Sequence, residues 1–292
     1  MAEVSLPTSQ TAPSVSFGRQ ALRRLLRNPG ACVGLVVLTI IALAAIFAPY
    51  VATHDPLEQR LPERLQGPSP EHWLGTDDFG RDLFSRIVYG ARISLRIGFT
   101  SVSIALVVGG TMGLVAAYYG GWIDHLLMRI VDILLAIPSI LLAITIVTML
   151  GPGLNNVMIA VGLATVPSYA RIMRAAVLAV RESDYVQAAI AAGASDLRVM
   201  VRHILPNCMA PIIVQATLSL ATAILTAAGL SFIGLGAQPP EPEWGAMAAQ
   251  SRQYMRQAHH VVTFPGLAIA ITVLALNLVG DGLRDALDPR LN

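Results

Sequence analysis

The 292-residue chain contains no lysine, and all 20 of its basic residues are arginine. A phosphate-binding P-loop uses a lysine to reach the β- and γ-phosphates of a nucleotide. The sequence therefore excludes a P-loop ATPase on this chain, and we expect the chain itself to hold no ATP, magnesium or other cofactor. Any ATP-driven motor has to lie on a separate polypeptide.

The signature motifs of several protein classes are also missing. The chain has no Gly-x-Ser-x-Gly, His-Glu-x-x-His or Cys-x-x-Cys motif, so the usual marks of hydrolases and redox enzymes are absent. It has no basic stripe with interleaved aromatic residues, which argues against binding to nucleic acid. Its two cysteines, Cys32 and Cys208, stand near predicted span ends and predict buried free thiols rather than a disulfide.

Charge is scarce, because 13% of the residues are charged and 54% are hydrophobic. A membrane-spanning helix needs about 20 predominantly apolar residues. The apolar runs predict an all-α membrane protein with six transmembrane helices. The runs are Ala31 to Tyr50, Ile97 to Tyr119, Ile133 to Asn156, Val157 to Ala170 with an extension through Arg174, Cys208 to Pro240, and Val261 to Gly280.

Arginines indicate the orientation of these helices. Arg19, Arg23, Arg24 and Arg27 precede the first run, which by the positive-inside rule places the N-terminus in the cytoplasm. Six crossings return the C-terminus to the same side. The predicted organisation is a cytoplasmic tail (1–30), a first transmembrane helix (31–51), an extracytoplasmic segment with an interfacial helix (52–95), a five-helix core (96–283) and a cytoplasmic tail (284–292).

A charged segment, DYVQAAIAAGASDLRVMVRHILPN, interrupts the apolar chain from Asp184 to Asn207. Asp184 and Gln187 have capping-box spacing, Gly193 can end a helix in the left-handed conformation, and Ser195 can cap the next helix. Pro206 suits the first turn of the following apolar helix. The segment therefore predicts a helical hairpin between two spans.

Small and polar residues within the spans indicate sites of helix packing or residues that line a pathway through the membrane. Gly109 and Gly113 form a Gly-x-x-x-Gly pair that lets a second helix approach closely. Gln215 and Asn277 need polar partners in hydrocarbon, so they line a pathway or form interhelical hydrogen bonds. Near the third span, Arg129 lies within one helical turn of Asp132 and can pair with it.

Two stretches between spans have alternative interpretations. From Gly80 to Val88, apolar residues recur at helical spacing and predict an amphipathic helix at the outer interface. In the later loop, Glu241, Glu243 and Trp244 follow a proline-rich turn and suit docking of an external protein, although Trp is also an ordinary interfacial anchor.

The hairpin resembles the coupling loop of ABC-importer permeases, whose motif runs Glu-Ala-Ala, three residues, Gly, nine residues, Ile-x-Leu-Pro. Ala188, Ala189, Gly193, Leu205 and Pro206 fall on that pattern. Two positions depart from it, since Gln187 replaces the usual Glu and His203 the usual Ile.

Three further stretches are similar to the C-type permease of dipeptide, oligopeptide, glutathione and nickel importers. They are HWLGTDDFGRDLFSRIVYGARISL from His72, GLSFIGLGAQPPEPEWGAM from Gly229, and GDGLRDALDPRLN from Gly280. With the hairpin they cover most of the chain from His72 onward, and the dipeptide branch is the most similar.

This resemblance implies a type I ABC importer permease in a bacterial inner membrane, surrounded by lipid and itself not an enzyme. The implied partners are a second, homologous permease, two cytoplasmic ATPases that carry ATP and magnesium, and an extracytoplasmic substrate-binding protein. A self-sufficient secondary transporter is the alternative from another class, but no internal repeat or intramembrane charge relay supports it. The residues expected to couple to the ATPases are Asp184, Tyr185, Gln187, Ala188, Ala189, Gly193, Ala194, Ser195, Arg202, Leu205 and Pro206.

Overall fold

The computed structural model describes residues 22–287, so Arg19 and most of both predicted tails lie outside it. Within the described residues every regular element is a helix, which confirms the all-α prediction. Short 3₁₀ turns occur at Leu61–Glu63 and Arg252–Tyr254, and a π-helical segment at Val199–Ile204. The α-helices are α1 (Pro29–Ile46), α2 (Ala48–Val51), α3 (Leu83–Tyr119), α4 (Gly121–Leu135), α5 (Ser139–Leu150), α6 (Leu154–Arg181), α7 (Asp184–Ala191), α8 (Asp196–Arg198), α9 (Leu205–Phe232), α10 (Trp244–Ser251) and α11 (His260–Leu287).

Five helical stretches in the described part of the chain are long and apolar enough to cross a membrane, namely α1, α3, α6, α11 and the run from Asp196 through α9. The pair α4 and α5 forms a sixth stretch, bent by 92° at its break. The expectation of one continuous third span from Ile133 is therefore wrong. Pro138 explains the break, because proline lacks the N–H of a helical hydrogen bond and disfavours a helical residue before it.

Helix α3 is continuous over 37 residues, or about 55 Å at 1.5 Å per residue. Asp82 caps it by accepting a hydrogen bond from the Ser85 amide at 2.8 Å. No break separates the expected interfacial helix from the second span at residue 95, since both belong to this one helix. Its residues Leu83, Arg86 and Val88 are buried rather than spread on a surface.

The first and last long helices run antiparallel. Near the start of α1, Ala31 faces Gly282 of α11, and near its end Ala45 packs with Phe264. Residues 29 and 287 therefore lie at the same end of the bundle, as six passages require. That this end faces the cytoplasm remains a prediction.

Helices α3 and α6 make the most extensive contact between long helices. A Cβ atom on Gly109 would collide with the Val166 carbonyl, and one on Gly113 with the Ala170 carbonyl. The Gly-x-x-x-Gly pair thus lies where two helix backbones approach each other. Packing of this kind matters in lipid, which supplies no hydrophobic drive for helix association.

Candidate functional site

The charged segment folds as a hairpin (Asp184–Pro206, hereafter the hairpin) between α6 and α9. Gly193 ends its first arm with a φ of +80°, and the amides of Gly193 and Ala194 donate to the carbonyls of Ile190 and Ala189. A left-handed residue of this kind favours glycine, which has no Cβ to clash with the backbone. The turn forms where the sequence predicts it.

The caps of the hairpin differ in detail from the prediction. Ser183 rather than Asp184 is the N-cap of α7, and the Gln187 side-chain amide donates to the Arg181 carbonyl at 3.1 Å. The predicted capping box therefore does not form. Ser195 occupies the N-cap position of α8, but no hydrogen bond from its side chain caps the helix. The second arm continues through the π-helical segment into α9, with Pro206 in the first turn.

One face of the hairpin is fixed to the ends of the long helices. Val186, Val199 and Ile204 are completely buried, in a cluster that includes Met173 and Val177 of α6. Hydrogen bonds reinforce this packing.

Two hydrogen bonds tie the C-terminal end of α3 to the hairpin region. The Tyr118 hydroxyl donates to Asp196 Oδ1 at 2.8 Å, and Arg181 Nη1 donates to the Ala117 carbonyl at 2.8 Å. The first bond links the hairpin to α3, and the second links α3 to the end of α6 from which the hairpin starts.

The opposite face of the hairpin exposes apolar side chains. Ile190 is 44% exposed and Leu197 68%, and Tyr185 and Val201 are also exposed. Several polar and small residues share this surface, while Ala189, Ala194 and Leu205 are half-buried. The other predicted coupling residues, all exposed, are Asp184, Gln187, Ala188, Gly193, Ser195, Arg202 and Pro206.

Ion pairs join α4 to α6 near the hairpin. Both guanidinium contacts from Arg174 to Asp124 measure 2.6 Å, and Arg171 meets Asp132 at 2.7 Å. The predicted pair of Arg129 with Asp132 is therefore wrong, because the partner of Asp132 comes from another helix. Periodicity within one helix could not reveal this pairing.

A polar cavity of about 220 Å³ lies between α5, α6 and α9. Gln215 lines it and donates to the Ser219 hydroxyl at 3.0 Å. Asn277 lies half-buried on α11 and is not among the residues lining this cavity, so the two predicted pathway residues are not brought together. The remaining lining residues are uncharged: Ser139, Val161, Ala164, Thr165, Ser168, Thr222, Ala223 and Thr226.

At the other end of the bundle, the predicted docking residues are mostly buried. Trp244 is 2% exposed, and its indole N–H donates to the Ile87 carbonyl at 3.0 Å. Glu243 is 1% exposed and accepts the amides of Gly245 and Ala246 at 2.9 and 2.8 Å. Burial raises the pKa of the Glu243 carboxyl, and these amides oppose the shift.

The docking prediction for Glu243 and Trp244 is therefore wrong, because Trp244 holds α10 against α3 and Glu243 is the buried N-cap of α10. Glu241 is exposed. The signal that could have revealed the burial of Trp244 is Gly90, where a Cβ would lie 2.7 Å from the indole ring. Only a residue without a side chain admits the ring at this distance.

Residues 52–82, the capping segment, cover the N-terminal end of α3 with buried ion pairs. Asp77 accepts from Arg81 Nε at 2.7 Å and lies 3.3 Å from Arg86 Nε. Arg86 also donates to the Pro56 carbonyl at 3.0 Å. Both arginines are buried, Arg81 with 3% and Arg86 with 1% of its surface exposed.

Comparisons with known proteins agree with this architecture. Residues 109–292 match the family described as "Binding-protein-dependent transport system inner membrane component". Residues 16–68 match the "N-terminal TM domain of oligopeptide transport permease C".

Named relatives align along nearly the whole chain. The dipeptide transport system permease protein DppC of Alkalihalophilus pseudofirmus is 53% identical, over 98% of this chain and 94% of that protein. The glutathione transport system permease protein GsiD of Pectobacterium atrosepticum is 49% identical, over 94% and 91%. An inward-facing structure of the MetNI methionine ABC transporter aligns with a TM-score of 0.57 at 21% identity, over 70% of this chain and 96% of that chain.

Proposed function

The chain belongs to the family of inner-membrane components of binding-protein-dependent transport systems, and from this we propose that it imports short peptides, dipeptides foremost. It is a multi-pass permease subunit of an ABC transporter and not itself an enzyme. In our proposal it pairs with a second permease, two ATPases supply ATP hydrolysis, and an extracytoplasmic binding protein delivers the substrate.

The observation that carries the coupling role is the two-faced hairpin. Its buried face is tied to α3 and α6, while its other face exposes Ile190 and Leu197 to a partner. In our proposal this exposed face sits in a groove of one ATPase. Closure of the ATPases on ATP then moves the hairpin as a rigid element, and α6 and α9 carry the movement into the membrane.

The polar cavity beside Gln215 is our candidate for part of the translocation path. Its hydroxyl and amide groups can exchange hydrogen bonds with peptide groups without fixing a charge. Its volume of about 220 Å³ is below the roughly 300–1,000 Å³ of drug-sized ligand sites. We therefore assign it one wall of the path, with the partner permease supplying the other.

Dipeptide rather than glutathione is proposed because dipeptide and di/tripeptide permeases are 48–53% identical to this chain and glutathione permeases 47–49%. Oligopeptides and nickel are the other substrates of similar permeases. Since the binding protein selects the substrate before it reaches the membrane, substrate choice has to be measured with that protein present.

The test is reconstitution of the complete transporter in proteoliposomes with its binding protein and internal ATP. We expect uptake of a labelled dipeptide that needs ATP and is competed by unlabelled dipeptide more strongly than by glutathione. Uptake of glutathione or nickel in preference would contradict the substrate assignment. Uptake without ATP would contradict the coupling mechanism.

A further inference from the structure

Two histidines and a glutamate converge in the capping segment. His54, Glu71 and His72 each offer a ligand atom, and these atoms lie within 4.8 Å of one another. The two imidazole rings are 4.7 Å apart between centroids. We propose that this histidine cluster (His54, Glu71 and His72) binds a divalent transition-metal ion of the zinc type.

The orientation of His72 supports metal binding. Its ring is buried, and its Nδ1 atom hydrogen-bonds to the buried Asp82 carboxylate at 2.8 Å. Metal-ligating histidines typically present one nitrogen to the ion while a carboxylate or carbonyl holds the other. Asp82 thus fixes the ring through Nδ1 and leaves Nε2 as the nitrogen that can bind a metal.

His54 and Glu71 supply the other ligand atoms of the cluster, within 4.8 Å. The His54 Nδ1 atom hydrogen-bonds with the Thr53 hydroxyl at 3.0 Å, which leaves its Nε2 atom for a metal. Glu63 Oε2 lies 3.3 Å from His72 Nε2, so coordination would replace this hydrogen bond and make Glu63 a candidate fourth ligand. Arg60, 3.7 Å from the same Glu63 oxygen, is the cation that faces this carboxylate from the outside.

The donor set selects the class of ion. Two imidazoles with one or two carboxylates suit zinc and its neighbours, whereas calcium and magnesium prefer oxygen ligands alone. Zinc bonds to nitrogen and oxygen measure about 2.0–2.2 Å. The ligand atoms now lie within 4.8 Å of one another, so they need to move only part of this distance closer together to share one ion. Glu71 is exposed and His54 is partly exposed, so the ion has a route from solvent.

A bound ion would join three parts of the capping segment. His54 follows α2, His72 and Glu71 follow the proline-rich stretch, and Asp82 begins α3. The ion would therefore fix the loop that covers the N-terminal end of α3. This proposal is independent of the peptide substrate and of the hairpin.

The experiment is zinc titration of the full chain, purified in detergent through a tag without histidine and stripped with a chelator. We expect one zinc per chain, an affinity lowered at least tenfold in both His54→Ala and Glu71→Gln, and a melting temperature that zinc raises in the wild type by mass action. His259→Ala and Glu58→Gln are matched controls outside the cluster and should bind like the wild type. Glu71→Gln removes an exposed charge with little change of shape, so it keeps the test valid if His54→Ala misfolds.

Absence of saturable binding at one zinc per chain would overturn the proposal. It would mean that His72 is simply held between the carboxylates of Asp82 and Glu63. Equal affinity in the wild type and in Glu71→Gln would overturn it as well.

Discussion

At the N-terminal end of α3, charged side chains are buried and paired within the chain, whereas at its C-terminal end apolar side chains of the hairpin are exposed. Asp77 of the capping segment forms ion pairs with Arg81 and with Arg86 of α3. The hairpin instead presents Ile190 and Leu197 to the surroundings. The same helix thus joins an end whose charged groups are paired within the chain to an end whose neighbouring apolar side chains are exposed.

The difference indicates that the buried charges contribute mainly to stability and the exposed hairpin mainly to function. A buried charge needs its partner inside the chain, because an unpaired charge in a low-dielectric environment is costly. An exposed apolar side chain costs little in the isolated chain and contributes when another protein covers it. Substitution of the buried charges at the N-terminal end of α3 should therefore destabilise the permease, and substitution of exposed apolar residues of the hairpin should weaken its binding to a partner protein.

The largest expected effect is that of Asp77→Ala. It removes the nearest carboxylate of both buried arginines, Arg81 and Arg86, and leaves Arg81 only the more distant Asp78 at 3.9 Å. Breaking a buried pair costs about 3–5 kcal/mol. We expect a large fall in the melting temperature of the purified chain. Glu58→Ala, which removes an exposed partner of Arg60, is the control and should melt like the wild type; equal melting of both variants would refute the distinction.

Gly113→Ala tests the connection between the two ends. Its methyl group would meet the Ala170 carbonyl, and overpacking of this kind costs about 1–3 kcal/mol. Gly110→Ala is the matched control, since its nearest neighbour is the flexible end of Met173 at 3.5 Å. Thermal unfolding should separate the two variants, and a stable Gly113→Ala chain would mean that α3 and α6 do not pack this closely.

Gly193→Val should leave membrane insertion intact and abolish uptake. No neighbouring atom lies within 4 Å of a Cβ at this position, so the penalty comes from the left-handed backbone, about 1–2 kcal/mol for a residue with a side chain. Uptake assays should show recovery in Gly193→Asn, because asparagine tolerates this conformation better. Gly266→Val, another glycine with open space but without a positive φ, should transport normally. Normal uptake in Gly193→Val would rule out the coupling role.

Leu197→Ser should have the smallest effect on stability, within about ±0.5 kcal/mol as for most surface substitutions. Its effect should appear in binding, because burying a leucine side chain contributes about 1.5–3 kcal/mol. We expect the ATPase to dissociate during purification while the melting temperature of the chain stays unchanged. Leu57→Ser, the same change at the capping segment, should keep the ATPase bound, and loss of the ATPase in both variants would contradict an interface confined to the hairpin.

Features that depend on local backbone geometry could be predicted from the sequence. Gly193 ends a helix because of its own conformation, and Gly109 and Gly113 admit a neighbouring helix because they lack side chains. The helical class and the approximate number of spans follow from the lengths of the apolar runs.

Features that depend on distant partners could not be predicted. The burial of Trp244 depends on Gly90, and Asp132 pairs with Arg171 rather than with Arg129. The cluster of His54 and His72 forms only when the loop folds over the start of α3. The break at Pro138 carried a local signal, but the uninterrupted hydrophobicity around it favoured a single span.

The central claim, that the hairpin connects this permease to separate ATPases, is tested most directly by tagged purification from native membranes in mild detergent. Partners are identified by mass spectrometry, with wild type and Leu197→Ser compared side by side. We expect the wild type to bring down a second multi-span protein and P-loop ATPases, and Leu197→Ser to keep the second permease but lose the ATPases. Recovery of the wild-type chain alone, active in transport without ATP, would contradict the account and favour a self-sufficient secondary transporter.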